Sequence, residues 1–134
     1  FYKTKARNIK DMCIQLIERF DGVVPDNIES LVSLPGVGRK TANLIVGDIY
    51  GKPAIVTDTH CIRIAGRLGL TDSNGPHKVE NDLKDIIPEE EGSDFCHRIV
   101  EFGREICKAR KPMCDICTLK SICRYYIENK KGER

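Results

Sequence analysis

Four cysteines near the C-terminal end constrain this chain more than any other feature. Cys107, Cys114, Cys117 and Cys123 follow the spacing C-x6-C-x2-C-x5-C. Four thiolates at such short spacing bind either zinc or an iron–sulfur cluster, and either group staples the intervening loops around one centre. Zinc ribbons and fingers usually show two separated C-x2-C pairs, whereas here one pair stands between two single cysteines. The spacing also differs from the ferredoxin runs. Spacing alone leaves zinc and iron–sulfur both open. The chain has seven cysteines in all, and an odd count argues against a pure disulfide framework. Cys13, Cys61 and Cys96 fall at apolar or helical positions and read as core thiols, which places the protein in a reducing compartment.

The rest of the sequence is patterned for helices. Ile9, Met12, Cys13, Leu16, Ile17 and Phe20 recur at three and four residues, and the run stops at Asp21-Gly22. "DNIESLVSL" predicts a short helix with Asp26 as its N-cap. Residues 39–49 predict another, with Ala42, Leu44, Ile45, Val46 and Ile49 buried. Ala54-Ile55-Val56 is ambiguous with a strand, but Asp58 followed by Ile62, Ala65 and Leu68 predicts an N-capped helix over 58–68. "HKVENDLKDIIP" gives a further helix, and "SDFCHRIVEFGREIC" a longer one capped by Ser93 or Asp94. "PEEEGSD" reads as a linker, and the segment after Cys107 as loop-rich, ending in the charged tail "ENKKGER". The pattern is all-α. It divides into a first domain over 1–53 and a helical, metal-bearing domain over 54–134. The first residue is Phe1 and a helix is already under way there, so the expectation is a fragment lacking an N-terminal part. No run approaches the ~18 apolar residues of a membrane span, and no signal peptide is visible.

Between two short helices stands "SLPGVGRKTANLIVGD". Its helix opens with Arg39 and Lys40 at the positive end of the helix dipole, where cations are disfavoured by up to about 1 kcal/mol. A sequence that breaks a local rule this way usually does so at a functional site. Gly36 and Gly38 let an anion approach the backbone, and the N–H groups opening the next helix complete an anion site. The arrangement resembles the helix-hairpin-helix motif, which grips a DNA phosphate without reading sequence. The residues that would do so are Leu34, Gly36, Val37, Gly38 and Arg39. In that motif family an alkali cation can be shared between phosphate and hairpin carbonyls, here those of Val32, Leu34 and Val37.

Lys40 is the candidate nucleophile. An attacking amine must be deprotonated, and the helix N-terminus, neighbouring Arg39 and partial burial all act in that direction. Asp58 is the candidate carboxylate that orients the amine, takes its proton and stabilises positive charge on a sugar ring. An N-cap role for Asp58 is compatible, since a capped carboxylate is held in place by backbone N–H groups. Charge distribution points the same way. Net charge is only +2, but residues 72–94 carry eight acidic and two basic side chains, and residues 95–134 ten basic and five acidic. Lys108, Arg110 and Lys111 lie in the first loop of the cysteine cluster, as a rigid phosphate-binding patch would require.

"LPGVGRKTAN", "TDTHCIRI" and the four-cysteine loop, in that order, resemble the endonuclease III family of DNA glycosylase/AP lyases, over essentially the whole chain. The resemblance implies a helix-hairpin-helix glycosylase fold, present in part: the second half of a six-helix barrel, plus the cluster domain without its first helix. It implies a [4Fe–4S] cluster on Cys107, Cys114, Cys117 and Cys123. It implies base-excision repair in which a damaged pyrimidine is flipped from duplex DNA, the Lys40 amine attacks C1′, and β-elimination at the AP site nicks the strand, with Asp58 assisting. The related adenine-mismatch glycosylases lack this lysine. The expected setting is the cytoplasm of a bacterial or archaeal cell, on the nucleoid. The expected partner is double-stranded DNA containing damaged pyrimidines or AP sites. The missing helices predict weak activity and self-association of the fragment. Two other readings stand beside this one: a non-catalytic DNA-binding module that keeps the hairpin and cluster, and a zinc-stapled helical interaction domain.

Overall fold

A computed structural model describes residues 1–131, and helices account for all the regular structure among them. The chain forms two compact units, Phe1–Ala54 and Ile55–Arg134, the second extending past the described residues by the last three positions of the charged tail.

The first unit contains α1 (Tyr2–Phe20), α2 (Ile28–Val32) and α3 (Arg39–Leu44), the last running on into a wider π-helical turn over Ile45–Ile49. Helix α1 ends where the sequence breaks, with Asp21 and Gly22 both in the left-handed conformation. Leu31, Ala42, Val46 and Ala54 form the buried cluster of this unit, with Ile28, Val37 and Ile45 packed around it. Helix α1 meets the α2–α3 hairpin through Asn8, which lies beside Gly36, and through Arg19, whose Nη2 donates to Ser33 Oγ at 2.9 Å.

Several local expectations change here. The cap of α2 is Asn27, whose Oδ1 accepts the Ser30 N–H at 2.8 Å; Asp26 instead pairs with Lys52 Nζ at 2.7 Å. An asparagine one residue closer to the helix satisfies the free N–H equally well and leaves the carboxylate for the lysine. Leu44 and Ile49 are exposed: Leu44 lies two positions from buried Ala42, on the opposite face of the helix, and Ile49, at 69%, ends the π turn, whose extra residue shifts it off the face of Ala42 and Val46. Along α1 no residue is buried, and Cys13, expected in the core, is exposed.

The second unit packs α4 (Thr59–Leu68), α5 (Pro76–Ile86) and α6 (Gly92–Glu105) around Ile55, Cys61, Ile64, Ala65, Val79, Leu83, Cys96 and Ile99, and α7 (Arg124–Lys131) lies against α4. Residues 51–58 are neither helix nor strand, and α4 begins at the capped position read from sequence. Helix α6 starts at Gly92 with no side-chain cap, so Ser93 and Asp94 fall inside its first turn. "PEEEGSD" is accordingly not all linker: a 3-10 turn over Glu89–Glu91 leads directly into α6. The segment after Cys107 is more ordered than its composition suggests. It holds a 3-10 turn, Cys114–Ile116, and α7, tied down by Arg124 to Gly66 O at 2.9 Å, Thr71 O at 3.3 Å and Asp72 Oδ1 at 2.5 Å.

Candidate nucleic-acid interface and metal centre

The hairpin is built by its own residues. The Val37 N–H bonds back to Leu34 O at 3.2 Å across Pro35-Gly36, with Gly36 at φ 76°, the form of a type II turn. Leu34 is buried and anchors the turn, while Gly36, Gly38, Arg39 and Lys40 are exposed. A Cβ on Gly36 would stand 2.9 Å from Asn8 Cβ, so the turn needs glycine both for its backbone angle and for its approach to α1. Gly38 is the N-cap of α3, with no side chain satisfying the helix start. The first turn of α3 therefore presents backbone N–H groups together with two cationic side chains. Lys40 is exposed, so the partial burial expected of it is not provided within this chain.

Asp58 belongs to the second unit. Its Oδ1 accepts the Cys61 N–H at 2.8 Å and its own carbonyl accepts the Ile62 N–H at 3.0 Å, which fixes the carboxylate at the head of α4. Cys61 is buried beside Cys96; the hydrogen bond between the two thiols, then burial, pushes the Cys61 thiol above the ordinary range. The Val56 N–H points at Cys96 Sγ at 3.2 Å. These two cysteines are core groups, as their positions in the sequence suggest.

Cys107, Cys114, Cys117 and Cys123 line one cavity, walled by Phe102, Ile106 and Tyr126 among others. Burial raises the Cys114 thiol, and the nearby sulfurs of Cys107, Cys117 and Cys123 raise it further. The sulfurs of Cys107, Cys117 and Cys123 thus stand near the Cys114 thiol. Among the described residues no group of three or more His, Cys, Asp or Glu side chains is set to hold a metal ion. The four cysteines share the lining of one cavity, and their chemistry, four thiols, is that of an iron–sulfur or zinc centre.

Sequence reasoning missed the arginines that frame this centre. Arg63 Nη2 reaches Cys107 O at 3.0 Å, Gly103 O at 3.4 Å and His60 Nδ1 at 3.2 Å. Arg67, one turn on, reaches the loop after Cys107. The signal was present: two arginines four residues apart on a helix whose opposite face is buried share one side. Lys108, Arg110 and Lys111 are exposed on that loop.

Both units are helical, one bearing the glycine turn and the other the four cysteines, and likeness to known proteins gives their class: DNA repair proteins. A family model described as "HhH-GPD superfamily base excision DNA repair protein" covers residues 1–89, and the chain belongs to that superfamily. Within it, the chain is 45% identical to the endonuclease III of Rickettsia felis over 93% of its own length and 59% of the relative's. It is 43% identical to that of Thermotoga maritima, over 98% of its own length and 62% of the relative's. The chain therefore spans about three-fifths of the relatives it matches. Two solved structures superpose with a TM-score of 0.89. One is a non-covalent endonuclease III–DNA complex, 45% identical over 97% of this chain and 61% of that one. The other is a trapped endonuclease III–DNA covalent intermediate, 46% identical over 99% of this chain and 62% of that one.

Proposed function

We propose that this chain is the hairpin- and cluster-bearing part of a base-excision repair enzyme that removes oxidised pyrimidines from duplex DNA and nicks the strand at AP sites. The observation that carries the reading is the Leu34–Lys40 hairpin, a glycine turn that delivers an amine to the spot where a phosphate backbone would be held. The likeness to a trapped covalent endonuclease III–DNA intermediate supports it, because a covalent intermediate requires a nucleophile and Lys40 is the amine at this turn. The Lys40 Nζ lone pair forms the bond to C1′ as the glycosidic bond breaks. Loss of the amine proton and ring opening, with O4′ taking a proton, give the imine; loss of a C2′ proton then forms the C2′=C3′ bond as the C3′–O bond breaks and the phosphate leaves. Asp58 accepts the amine proton and offsets the charge on the sugar.

Leu34, Gly36, Val37, Gly38 and Arg39 hold one phosphate through backbone and charge. The carbonyls of Val32, Leu34 and Val37 share an alkali cation with it; the Leu34 carbonyl, which accepts only the Val37 N–H in the turn, keeps a lone pair for that purpose. Lys108, Arg110 and Lys111 contact phosphates further along the duplex. Cys107, Cys114, Cys117 and Cys123 hold a [4Fe–4S] cluster, which supplies a covalent staple for this basic loop. Iron and sulfide analysis of the purified chain tests that assignment: both present would support it, and zinc alone would replace it with the interaction-domain reading.

The exposure of Lys40 favours a second reading, a DNA-binding module in which the lysine only touches phosphate. Incubating the chain with an AP-site duplex and borohydride separates the two, since borohydride reduces an imine to a stable adduct. The enzyme reading expects an adduct that Lys40→Gln abolishes while affinity stays within a few fold. An adduct that survives Lys40→Gln overturns the nucleophile assignment, and binding without an adduct favours the module.

A further inference from the structure

Arg67 spends its guanidinium on the loop that carries the basic patch. Its Nη1 donates to Lys108 O at 2.8 Å, with Cys107 O at 3.5 Å and Cys107 Sγ at 3.3 Å; its Nη2 donates to Ala109 O at 3.0 Å. One planar fork therefore faces three successive carbonyls, and the ring of Tyr125 lies 4.8 Å from its centre. The base of the loop is closed separately, by the Met113 N–H on Ile106 O at 2.9 Å. With the carbonyls drawn in toward α4, the side chains of Lys108, Arg110 and Lys111 are left on the outside. Lys111 sits at φ 52°, a left-handed conformation that a lysine seldom adopts unless its surroundings hold it.

We propose that Arg67 is a positioning residue for DNA: it holds the 107–109 backbone so that Lys108, Arg110 and Lys111 meet consecutive phosphates together. The proposal rests on the reading that this loop grips DNA. The physical reason is preorganisation. A cationic side chain on a free loop loses conformational freedom when it binds, and a loop already fixed avoids that cost. Lysine cannot replace Arg67, because an ammonium is a point charge and cannot span three carbonyls in one plane.

The test is the salt dependence of binding to a short undamaged duplex, measured by fluorescence anisotropy on the chain carrying its metal centre. Each phosphate contact adds about 0.9 to the slope of log K against log salt. The Lys108→Ala/Arg110→Ala/Lys111→Ala triple variant lowers the slope by about 2–3. Arg67→Lys, which keeps the charge, is expected to lower it by about 1–2 and to weaken binding about fivefold. Added to the triple variant, Arg67→Lys changes affinity less than twofold; a loss of fold stability alone would be as damaging there as in the parent. A wild-type slope in Arg67→Lys, or a full additional loss in the triple background, overturns the role of Arg67. An unchanged slope in the triple variant overturns the loop reading as well. Should Arg67→Lys not fold, Tyr125→Leu, which removes the ring beside the guanidinium, must lower the slope in its place, and a wild-type slope there overturns the proposal.

Discussion

At Gly103, α6 packs closely against α4. A Cβ there would stand 2.6 Å from His60 Nδ1, 2.9 Å from Ile64 Cδ1 and 3.0 Å from Arg63 Nη2. Retreat costs each of them: His60 Nδ1 would leave its 3.2 Å contact with Arg63 Nη2. Ile64 is fully buried, and moving Arg63 breaks its bonds to Cys107 O and Gly103 O. Gly103→Ala therefore overpacks a core, at about 1–3 kcal/mol, and displaces hydrogen bonds from a charged donor, at about 1.5–3 kcal/mol. Alanine's helix propensity returns about 1 kcal/mol. The net expectation is a destabilisation of about 1.5–5 kcal/mol. Gly66→Ala is the control: it lies within α4 with nothing inside 4 Å of the added carbon, so only the propensity gain remains. Urea unfolding followed by far-ultraviolet circular dichroism compares the two. If Gly103→Ala unfolds at the same urea concentration as Gly66→Ala, close helix approach at this glycine does not constrain the unit.

Asp58 has a capping role and a proposed chemical one, and two substitutions separate them. Asp58→Asn keeps a side-chain oxygen for the Cys61 N–H and should leave stability within about 0.5 kcal/mol, whereas Asp58→Ala should lose about 1 kcal/mol; both should slow adduct formation with an AP-site duplex. Equal adduct rates in Asp58→Asn and the parent would remove the carboxylate from the chemistry. The Asp26–Lys52 pair sets an acid-side dependence. Its hydrogen bond and the lysine's charge hold the Asp26 carboxyl below the ordinary carboxylate value, so its small contribution is complete above the unfolded value and is lost as pH falls through the folded one. Lys52→Ala should thus lower the urea midpoint at pH 7 and leave it unchanged near pH 2, which a two-pH titration checks.

The sequence determined what short-range chemistry can determine. The Asp58 cap, the break at Asp21-Gly22 and the Leu34–Lys40 turn are each set by residues within a few positions of one another. A left-handed glycine or a side-chain oxygen before a helix acts locally wherever the chain goes next. Cys61 and Cys96 were legible as core thiols because apolar spacing on a helix marks its inner face. The tertiary structure decided what depends on neighbours distant in sequence. Asn27 rather than Asp26 caps α2 because Lys52, far along the chain, takes the carboxylate. Cys13 lies on an apolar stripe yet is exposed, since periodicity reports a face and not whether anything covers it. The roles of Arg63 and Arg67 also needed the fold: two arginines on a helix read as solvated charge until the loop after Cys107 is seen to turn its carbonyls toward them.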